Sequence, residues 1–328
     1  MKALTITKDK TNISDAKIIQ VAKPTTNDAE ILIKVKAVGL NPVDYKLIEN
    51  HPSNWTDPHI LGLDTAGEIV EVGADNPKDF KVGQRVFFHS DLNKNGVYAE
   101  YAKAKYNIVA RIPDNVSYQS AAAILCSGLT AYASIFRKMN LTGKKNILIH
   151  AGAGGVGSIG VQLAKYLGLT VITTVSTKKV DFVKKIGADF VIDYKKQNTS
   201  EEISKITNGV GVDLIINLVG GIEVQKDLSR LAYNGAVVDI LNTPDLSNYD
   251  LTAKGQSVLS VNLGGAHNGG NINQLNDLSI MAESLVKLVS EGVVDPLITK
   301  EISFEEITDG LQLIKDHQTE GKIVAVLD

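Results

Sequence analysis

The chain has 328 residues, of which 44% are hydrophobic and 22% are charged, and its formal net charge at pH 7 is −3. This is the composition of a globular protein, and the length exceeds what one hydrophobic core usually serves, so we expect two domains. The slightly acidic balance gives no general attraction to nucleic acid or to anionic membranes, and neither is expected as a partner.

The sequence also gives an indication of the cellular compartment. The longest apolar runs, such as VDLIINLVGG, are well short of the ~20 residues that span a bilayer. The opening residues MKALTITKDK lack the apolar stretch of a signal peptide. Cys126 is the single cysteine, which excludes an internal disulfide and a multi-cysteine zinc site. A cytoplasmic protein is expected.

The first third of the chain shows the period of β-strands. Up to about Ser120, short segments alternate apolar and polar residues or are apolar over strand-like lengths, and Gly, Pro and Asp bound them. The segments are EILIKVKAV, AGEIVEVG, RVFFHS and VYAEYAKA. This pattern indicates a small antiparallel barrel or sandwich.

From about Asn146 the pattern changes to strand, turn and helix in alternation. The β-rich runs are NILIHA, TVITTV, DFVID, VDLIINLV, AVVDIL and SVLSVNL. Gly168 and Gly187 stand where the intervening helices are expected to end. Such alternation predicts a parallel sheet with helices on both faces, and six strands suit the doubly wound dinucleotide-binding fold.

The last part of the chain predicts two more helices and a closing strand. A long helix is expected over about 273–290, ending at Gly292. The segment from Ser303 to Glu306 has the form of a capping box that opens the second helix. The closing strand GKIVAVL is expected to return to the first domain, because the nucleotide fold is already complete.

The most specific local signal is the glycine turn, HAGAGGVGSIG. Three glycines fit G-x-G-x-x-G, directly after a strand and directly before a helix. The bare backbone and the positive end of the helix dipole would bind a pyrophosphate. The predicted residues are Gly152, Gly154, Gly155, Val156 and Gly157. The alternative is a tight turn that binds nothing.

The residues after the second strand bear on which dinucleotide binds. An NAD site usually carries an acid there, but this chain has Ser176, Thr177, Lys178 and Lys179. A hydroxyl and lysines suit the 2′-phosphate of NADPH, which an Asp would repel. The alternative is that these lysines, like Lys184 and Lys185 after them, simply form the solvated face of a helix.

Six motifs together resemble one known family over essentially the whole chain. They are AVGLNPVDYK (37–46), LGLDTAGEIVEVG (61–73), GVYAEYA (96–102), AAAILCSGLTAY (121–132), the glycine turn and the final GKIV. The chain resembles the medium-chain dehydrogenase/reductases, and within them the zinc-free quinone oxidoreductases of the zeta-crystallin-like branch.

This resemblance implies an α/β protein with a GroES-like β-barrel catalytic domain and a doubly wound Rossmann coenzyme domain. The catalytic domain would comprise residues 1–122 and 266–328, and the NADP(H)-binding domain residues 123–265. In the family the active site lies where the two domains meet, and dimers are common. The sixth strand, near 257–262, is expected to be an edge strand through which a homodimer forms.

The chain departs from the zinc-dependent members of the superfamily. Where those have a Cys in the first motif and a His in the second, it has the segment 41–44 and Asp64. Cys126 stands at the position of a third ligand, and the lobe that binds structural zinc is missing. One thiol with scattered carboxylates is a poor zinc site, so no metal is predicted.

Without a Lewis acid the acceptor must already be electrophilic. The predicted activity is NADPH-dependent, zinc-independent hydride transfer to a quinone or an α,β-unsaturated carbonyl. Two alternatives stay open: a 2-enoyl thioester reductase, and a non-catalytic NADPH-binding protein of the crystallin-like or RNA-binding kind. The lack of a basic stripe with interleaved aromatics argues against RNA.

The resemblance also implies site residues. Asn41 and Asp44 would lie beside the nicotinamide and the substrate, with Tyr45 as a candidate donor, and 51–59 would border the substrate pocket. A turn with Asp44 capping a short helix explains the same segment equally well. The further coenzyme candidates are Thr130, Tyr194, Asn217, Val219, Leu241, Leu263 and Gly265. Packing or surface roles remain open for Thr130 and Tyr194, and His267 is expected on a mobile surface.

Overall fold

A computed structural model describes residues 1–269 and 271–327 of the chain. The chain divides into two compact units, Met1–Leu129 together with the part from Leu263 onwards, and Thr130–Asn262 between them. The boundaries predicted above, 122/123 and 265/266, differ from these limits by seven and three residues. Gly270 and Asp328, which the predicted catalytic domain includes, lie outside the described residues.

The part before the insertion is rich in strands. Its strands are β1 (Lys2–Ile6), β2 (Lys17–Gln20), β3 (Glu30–Gly39), β4 (His59–Ile60), β5 (Asp64–Val72), β6 (Arg85–His89), β7 (Tyr101–Lys105) and β8 (Ala110–Arg111). Its helices are α1 (Pro42–Glu49), α2 (Tyr118–Ala123) and α3 (Cys126–Ala133), the last of which crosses into the second unit.

The second unit alternates strands and helices. Its strands are β9 (Asn146–Ile149), β10 (Thr170–Val175), β11 (Phe190–Asp193), β12 (Val212–Asn217), β13 (Leu231–Asp239) and β14 (Ser257–Ser260). The helices between them are α4 (Gly155–Tyr166), α5 (Val180–Lys185), α6 (Thr199–Ile206) and α7 (Gly221–Arg230). The chain then returns to the first unit with α8 (Gly265–Asn268), α9 (Ile272–Ser290), β15 (Ile298–Ser303), α10 (Ile307–Lys315) and β16 (Lys322–Val326).

Two sheets make up the first unit. Three strands pair in the order β2-β1-β4, and the larger sheet has the order β15-β16-β3-β5-β6-β8, with β7 also paired to β3. Its pairings are antiparallel except for β15 with β16. The antiparallel character predicted from the alternating pattern is confirmed, and β16 returns to this sheet beside β3, as expected.

The sheet of the second unit is parallel throughout. Its strand order is β11-β10-β9-β12-β13-β14, which is the doubly wound dinucleotide order. The central strands are apolar on both faces because helices cover both, and Leu148, Ile172, Ile215 and Val237 are fully buried. The predicted Rossmann-type fold is confirmed.

Local signals explain where the helices begin and end. Gly168 after α4 and Gly187 after α5 have φ of 76° and 103°, the left-handed conformation that ends a helix at little cost in glycine. The side chain of Asn198 accepts hydrogen bonds from the first turn of α6. The Ser303 hydroxyl and backbone N–H both donate to Glu306 Oε2 at 2.8 Å, so the predicted capping box is present.

A helix that crosses a membrane must be both long and apolar. Among the helices of the described residues, none is both long enough and apolar enough to cross a bilayer.

Candidate active site

The glycine turn of the second unit links β9 to α4. A Cβ at Gly152 would collide with the hydroxyl of Thr173. A Cβ at Gly157 would collide with the carbonyl oxygen of Ala151 and lie 2.8 Å from the Cα of Gly152. Both glycines are therefore required by the packing of the protein itself, before any ligand is considered.

The middle glycine of the motif is different. A Cβ at Gly154 would have one neighbour within 4 Å, the Ala151 carbonyl oxygen at 3.4 Å, which is an ordinary contact. Gly154 is also the N-cap of the 12-residue helix α4, whose first residues are Gly155 and Val156. The first N–H groups of a helix have no intrahelical acceptor, so this open space faces donors and the positive end of a dipole. It suits a phosphate group.

The predicted 2′-phosphate residues follow β10 in a short 3-10 turn. Lys178 is exposed, whereas Ser176 and Lys179 are partly buried. The hydroxyl of Thr177 donates to Asp193 Oδ2 at 2.6 Å, so it is engaged by the end of the neighbouring strand β11. The turn after β10 thus carries two lysines, and the carboxylate of Asp193 lies beside it. The sequence did not indicate this carboxylate.

The carboxyl ends of parallel strands meet at one edge of the sheet, where such folds bind ligands. Three apolar predicted residues are left exposed there, Tyr194 after β11, Val219 after β12 and Leu241 after β13, at 50%, 43% and 50%. Asn217 ends β12, and its side chain accepts from the backbone N–H groups of Val219 at 3.1 Å and Gly220 at 2.7 Å. The structure thus brings these residues to the same edge as the glycine turn.

Three other coenzyme candidates have different positions. Thr130 is buried on α3, where its carbonyl accepts from the hydroxyl of Ser134 at 2.7 Å. Strand β14 ends at Ser260, so Leu263 and Gly265 do not directly follow it, and both belong to the first unit. Their role in binding the coenzyme stays a prediction.

In the first unit, strand register aligns the candidate catalytic residues. Val324 of β16 pairs with Gly39 of β3, Gly39 with Asp64 of β5, and Asp64 with His89 of β6. Lys322 lies two residues before Val324, and Asn41 two residues after Gly39. Side chains that are far apart in sequence therefore meet in one row, which we call the buried polar cluster: Asn41, Asp44, Asp64, His89, Tyr98 and Lys322.

Asn41 is at the centre of this cluster. Its Nδ2 donates to Asp64 Oδ2 at 2.8 Å, and its Oδ1 accepts from Lys322 Nζ at 2.6 Å. Its backbone N–H donates to Asp44 Oδ2 at 2.8 Å, and this hydrogen bond caps the N-terminus of α1. Both ends of the Asn41 amide are engaged inside the unit, and the residue is 2% exposed.

Asp44 is equally buried. Its Oδ2 also accepts from the Tyr98 hydroxyl at 2.7 Å, while its Oδ1 has no hydrogen-bond partner among the residues that the structure describes. Burial raises the pKa of Asp44 to about 7, although the bond from Tyr98 acts in the opposite direction. Tyr45, the next residue of α1, is also largely buried, and burial raises the pKa of its hydroxyl.

In Asp64, too, burial and the neighbouring groups shift the pKa in opposite directions. Burial raises its pKa, whereas His89, Lys322 and Asn41 favour the carboxylate. Within the described part of the chain, the buried atoms Asp64 Oδ1 and His89 Nδ1 have no hydrogen-bond partner. Unpaired polar atoms in a buried site are costly, and they mark places where water or a ligand group is accommodated.

Several members of the cluster were not identified as functional from the sequence. Tyr98 and Lys322 lie in motifs that carry the family resemblance, but their spacing in the sequence did not indicate a role for either.

His267 differs from the expectation of a surface position. Its side chain is 6% exposed, its Nδ1 lies 4.0 Å from Asp91 Oδ2, and its ring faces that of His89. The side chain is therefore buried, contrary to that expectation, and this burial lowers its pKa to about 4.

The segment 51–59 contributes to a small cavity of the first unit. The rings of Trp55 and His59 stack with centroids 3.8 Å apart, and both line this cavity together with Asp44 and Leu63. Trp55 Nε1 donates to the Leu92 carbonyl at 2.9 Å, which fixes the orientation of the indole. The cavity therefore has an aromatic wall and one carboxyl group.

The donor set does not fit zinc. Within residues 1–269 and 271–327, no group of three or more His, Cys, Asp or Glu side chains is arranged to hold a metal ion. Asp64 Oδ2 already accepts from Asn41 and from the backbone N–H of Cys126 at 2.9 Å. Burial raises the pKa of the Cys126 thiol well above its ordinary value, which disfavours the thiolate that zinc requires.

The raised pKa of Asp44 leads to a prediction on pH. The folded pKa of about 7 lies above the ordinary value of 3.8, so the folded chain holds this proton where the unfolded chain has lost it. The stabilisation is complete below about pH 4 and is lost as the pH rises towards 7. Asp44→Asn, which resembles the protonated form, should therefore gain stability relative to the unsubstituted protein between pH 4 and 7. Urea unfolding over this range measures the difference, and a difference independent of pH would contradict the assignment.

Comparison with known proteins adds two family matches. Residues 27–114 match the alcohol dehydrogenase GroES-like domain, and residues 155–278 match the family described as zinc-binding dehydrogenase. Human quinone oxidoreductase is 30% identical over 312 residues, covering 94% of this chain and 92% of the human protein. A chloroplast envelope quinone oxidoreductase homolog of Arabidopsis thaliana is 33% identical over 320 residues, covering 93% and 92%.

Solved structures agree with these matches. The quinone oxidoreductase of Coxiella burnetii has a TM-score of 0.84 at 27% identity and covers 100% of this chain and 99% of its own. A mycobacterial protein solved in complex with NADPH has a TM-score of 0.86 at 26% identity, and both chains are covered completely.

Proposed function

The chain belongs to the medium-chain dehydrogenase/reductase superfamily and, within it, to the quinone oxidoreductases. On that premise we propose that it transfers a hydride from NADPH to a quinone or an α,β-unsaturated carbonyl compound without the help of zinc. The mycobacterial neighbour that was solved with NADPH supports the choice of coenzyme.

One observation carries the proposal: the open space beside Gly154 at the N-terminus of α4. Gly152 and Gly157 are explained by internal packing, but no contact among the described residues requires a bare backbone at Gly154. A pyrophosphate that approaches this backbone gives the missing reason, because its oxygens would accept from the free N–H groups of the first turn. Ser176, Lys178 and Lys179, which follow the adjacent strand, are the proposed partners of the 2′-phosphate.

When bound, NADPH supplies the hydride, and the chain supplies binding, orientation and protons. In the second unit we propose that Tyr194, Val219 and Leu241 provide apolar contact for the coenzyme, since exposed apolar side chains at a ligand-binding edge lose water on binding. Asn217 holds the turn that carries Val219.

In the first unit we propose Asp44 as the group that holds and donates a proton. Its pKa of about 7 lets it exchange a proton near neutral pH, and its Oδ1 is unengaged. Asn41 is proposed as a positioning residue, because its amide is committed to Asp64 and Lys322. Tyr45 remains a candidate donor to the acceptor oxygen.

The independence from zinc is supported by the chemistry of the donor set. The ammonium group of Lys322 already provides a cation next to Asn41, and Cys126 favours the neutral thiol. An acceptor that is electrophilic by itself, such as a quinone or an enone, needs no Lewis acid. Elemental analysis of the purified protein tests this: a full equivalent of zinc would overturn it.

The activity is tested by following NADPH oxidation at 340 nm with four acceptors: 1,2-naphthoquinone, 9,10-phenanthrenequinone, an enone and a crotonyl thioester. Turnover with the quinones or the enone supports the proposal. Turnover with the thioester alone would assign a 2-enoyl thioester reductase instead. NADPH binding without turnover on any acceptor would assign a non-catalytic binding protein.

Coenzyme preference is tested by charge reversal. The double variant Lys178→Glu/Lys179→Glu is expected to weaken NADPH binding about tenfold or more and to leave NADH within about twofold, because only NADPH carries the 2′-phosphate. Lys184→Glu/Lys185→Glu, the same change on α5, is the control and should affect neither. Equal losses for both coenzymes would reject the phosphate role, and the measurement is calorimetric titration.

We also propose a homodimer formed through β14. This strand is the edge of the parallel sheet, and Val258 and Leu259 are only partly covered. Sedimentation velocity would show a monomer if this were wrong. The cytoplasmic location stays a prediction from the sequence.

A further inference from the structure

A second buried polar network lies in the second unit, below the ligand-binding edge of the parallel sheet. Asp227 of α7 is fully buried, and its carboxylate accepts three hydrogen bonds. His150 Nε2 lies 3.0 Å from Oδ1, Arg230 Nη1 donates to Oδ1 at 2.8 Å, and Asn217 Nδ2 donates to Oδ2 at 2.7 Å. Because a carboxylate only accepts, His150 carries its proton on Nε2.

Two of the partners of Asp227 lie at the carboxyl ends of adjacent strands. His150 directly follows β9 and is the first residue of the glycine turn, and Asn217 is the last residue of β12. His150 Nδ1 lies 3.1 Å from Thr174 Oγ1, and this hydroxyl oxygen accepts from the backbone N–H of Ala151 in the glycine turn. One carboxylate thus connects the glycine turn after β9 with the turn after β12.

The side chain of Asn217 links Asp227 to the backbone of the turn after β12. While its Nδ2 donates to Asp227, its Oδ1 accepts from the N–H groups of Val219 and Gly220. The amide can hold both sides only in this orientation, since a flip would place the amide nitrogen against two donors. The orientation of Asn217 is therefore fixed from both sides, by Asp227, which accepts from its Nδ2, and by the two N–H groups of the turn, which donate to its Oδ1.

A charge at this position demands an explanation beyond packing. A buried carboxylate carries a large desolvation penalty, and an apolar side chain on the inner face of α7 would avoid it. Burial alone would raise the pKa of Asp227, but His150, Asn217 and Arg230 hold it below the ordinary value, so the group is ionised at neutral pH. Two of its three hydrogen bonds, from His150 and Asn217, come from residues at the ligand-binding edge, and the third comes from Arg230 on its own helix.

The doubly wound order assigns the two turns different halves of a dinucleotide. The glycine turn takes the pyrophosphate, and the adenosine ribose lies towards β10, whose end carries the ribose-binding residues. The turn after β12 lies on the other side of β9, where the second mononucleotide half binds. Resting on the proposed NADPH-dependent function, we propose that Asp227 is a positioning residue that fixes the turn after β12 relative to the glycine turn and thereby shapes the nicotinamide half of the site.

The test compares two ligands on the same protein. In Asp227→Asn the new amide faces the Asn217 amide donor to donor, so the turn is released. We expect the Kd of NADPH to rise about tenfold. The Kd of 2′,5′-ADP, which represents only the adenosine half, should stay within about twofold. A merely structural role would weaken both ligands in parallel with a lower Tm.

A swap of the two side chains provides the rescue. In Asn217→Asp/Asp227→Asn the carboxylate at position 217 accepts from the turn and from the new amide, while the amide oxygen at position 227 accepts from His150 and Arg230. The NADPH affinity should return to within about threefold of the original. Should Asp227→Asn not fold, Asn217→Ala releases the turn while Asp227 keeps His150 and Arg230, and it should show the same selective loss.

Asp213→Asn is the matched control. Asp213 accepts from the N–H groups of Lys145 and Asn146 at 2.7 and 3.2 Å, at the opposite edge of the same sheet. This variant should leave the ratio of the two Kd values unchanged. An unchanged ratio in Asp227→Asn, or a swap that fails to restore it, would overturn the positioning role. Failure of the original protein to bind NADPH would instead reject the proposed function.

Discussion

Gly154→Ala is expected to fold like the unsubstituted protein and to bind NADPH at least about a hundredfold more weakly, which corresponds to roughly 2.8 kcal/mol. The added Cβ meets only the Ala151 carbonyl oxygen at 3.4 Å, so the chain itself tolerates it. The methyl group would stand where the pyrophosphate approaches the backbone at the N-terminus of α4. Calorimetric titration with NADPH and thermal unfolding measure the two effects separately.

Gly160→Ala is the matched control for this variant. Gly160 lies in the same helix, and its added Cβ would meet the side chains of Ile149 and Ile216 at 3.5 and 3.9 Å, which are ordinary contacts. Alanine also favours the helix by up to about 1 kcal/mol over glycine. The control should therefore bind NADPH normally and be at least as stable. Normal NADPH affinity in Gly154→Ala would mean that no phosphate approaches this backbone, and the proposed function would lose its main support.

Lys322→Met is expected to destabilise the first unit by about 3–5 kcal/mol, the range found when one partner of a buried charged network is removed. The Lys322 ammonium is 3% exposed and donates to the Leu40 carbonyl at 2.8 Å and to Asn41 Oδ1 at 2.6 Å. Methionine keeps the length of the side chain but leaves both acceptors unpaired. It also removes the positive charge that favours the ionised forms of Asp44 and Asp64.

The chain provides a direct readout for this prediction. Trp55 is the single tryptophan, it is buried, and it lies in the first unit, so its fluorescence in urea reports the unfolding of that unit. Without the ammonium the two carboxyls are harder to ionise, and the destabilisation should therefore be larger at pH 8 than at pH 5. A loss below about 1 kcal/mol at both pH values would contradict the role of Lys322.

Lys81→Met is the control for the same chemical change at an exposed ion pair. Lys81 Nζ lies 3.5 Å from Asp79 Oδ2, and the two side chains are 69% and 84% exposed. Exposed pairs contribute at most about 1 kcal/mol, because water and salt screen them. The contrast between the two variants separates the buried network from the loss of a surface charge.

The buried polar cluster shows what tertiary structure contributed. Asn41 and Lys322 are 281 residues apart, and they meet because β16 pairs with β3. The sequence indicated Asn41 and Asp44 through a family motif and a turn signal, but it gave no partner for either. A pattern of apolar and polar residues tells which side of a strand is buried, and it does not tell which strand lies next to it.

His267 and Asp227 show the same limit in a different way. His267 stands in a stretch rich in Gly and Asn, which locally suggests an exposed loop, yet packing near His89 and Asp91 buries its side chain. Asp227 lies on a helix with a polar composition, and its burial against His150 depends on a contact across 77 residues. Composition averages over neighbours in the chain, whereas burial depends on neighbours in space.

The sequence by itself determined the alternation of strands and helices in the second unit, the ends of its helices and the glycine turn. These features depend on interactions within one or two turns of the backbone, such as a left-handed glycine or a cap, so a short segment contains the information. Only the tertiary structure decided that Gly154 faces open space while Gly152 and Gly157 pack against the chain. It likewise decided that carboxyl, amide and ammonium groups from distant strands share one desolvated site, because strand pairing and register bring together residues that no local pattern connects.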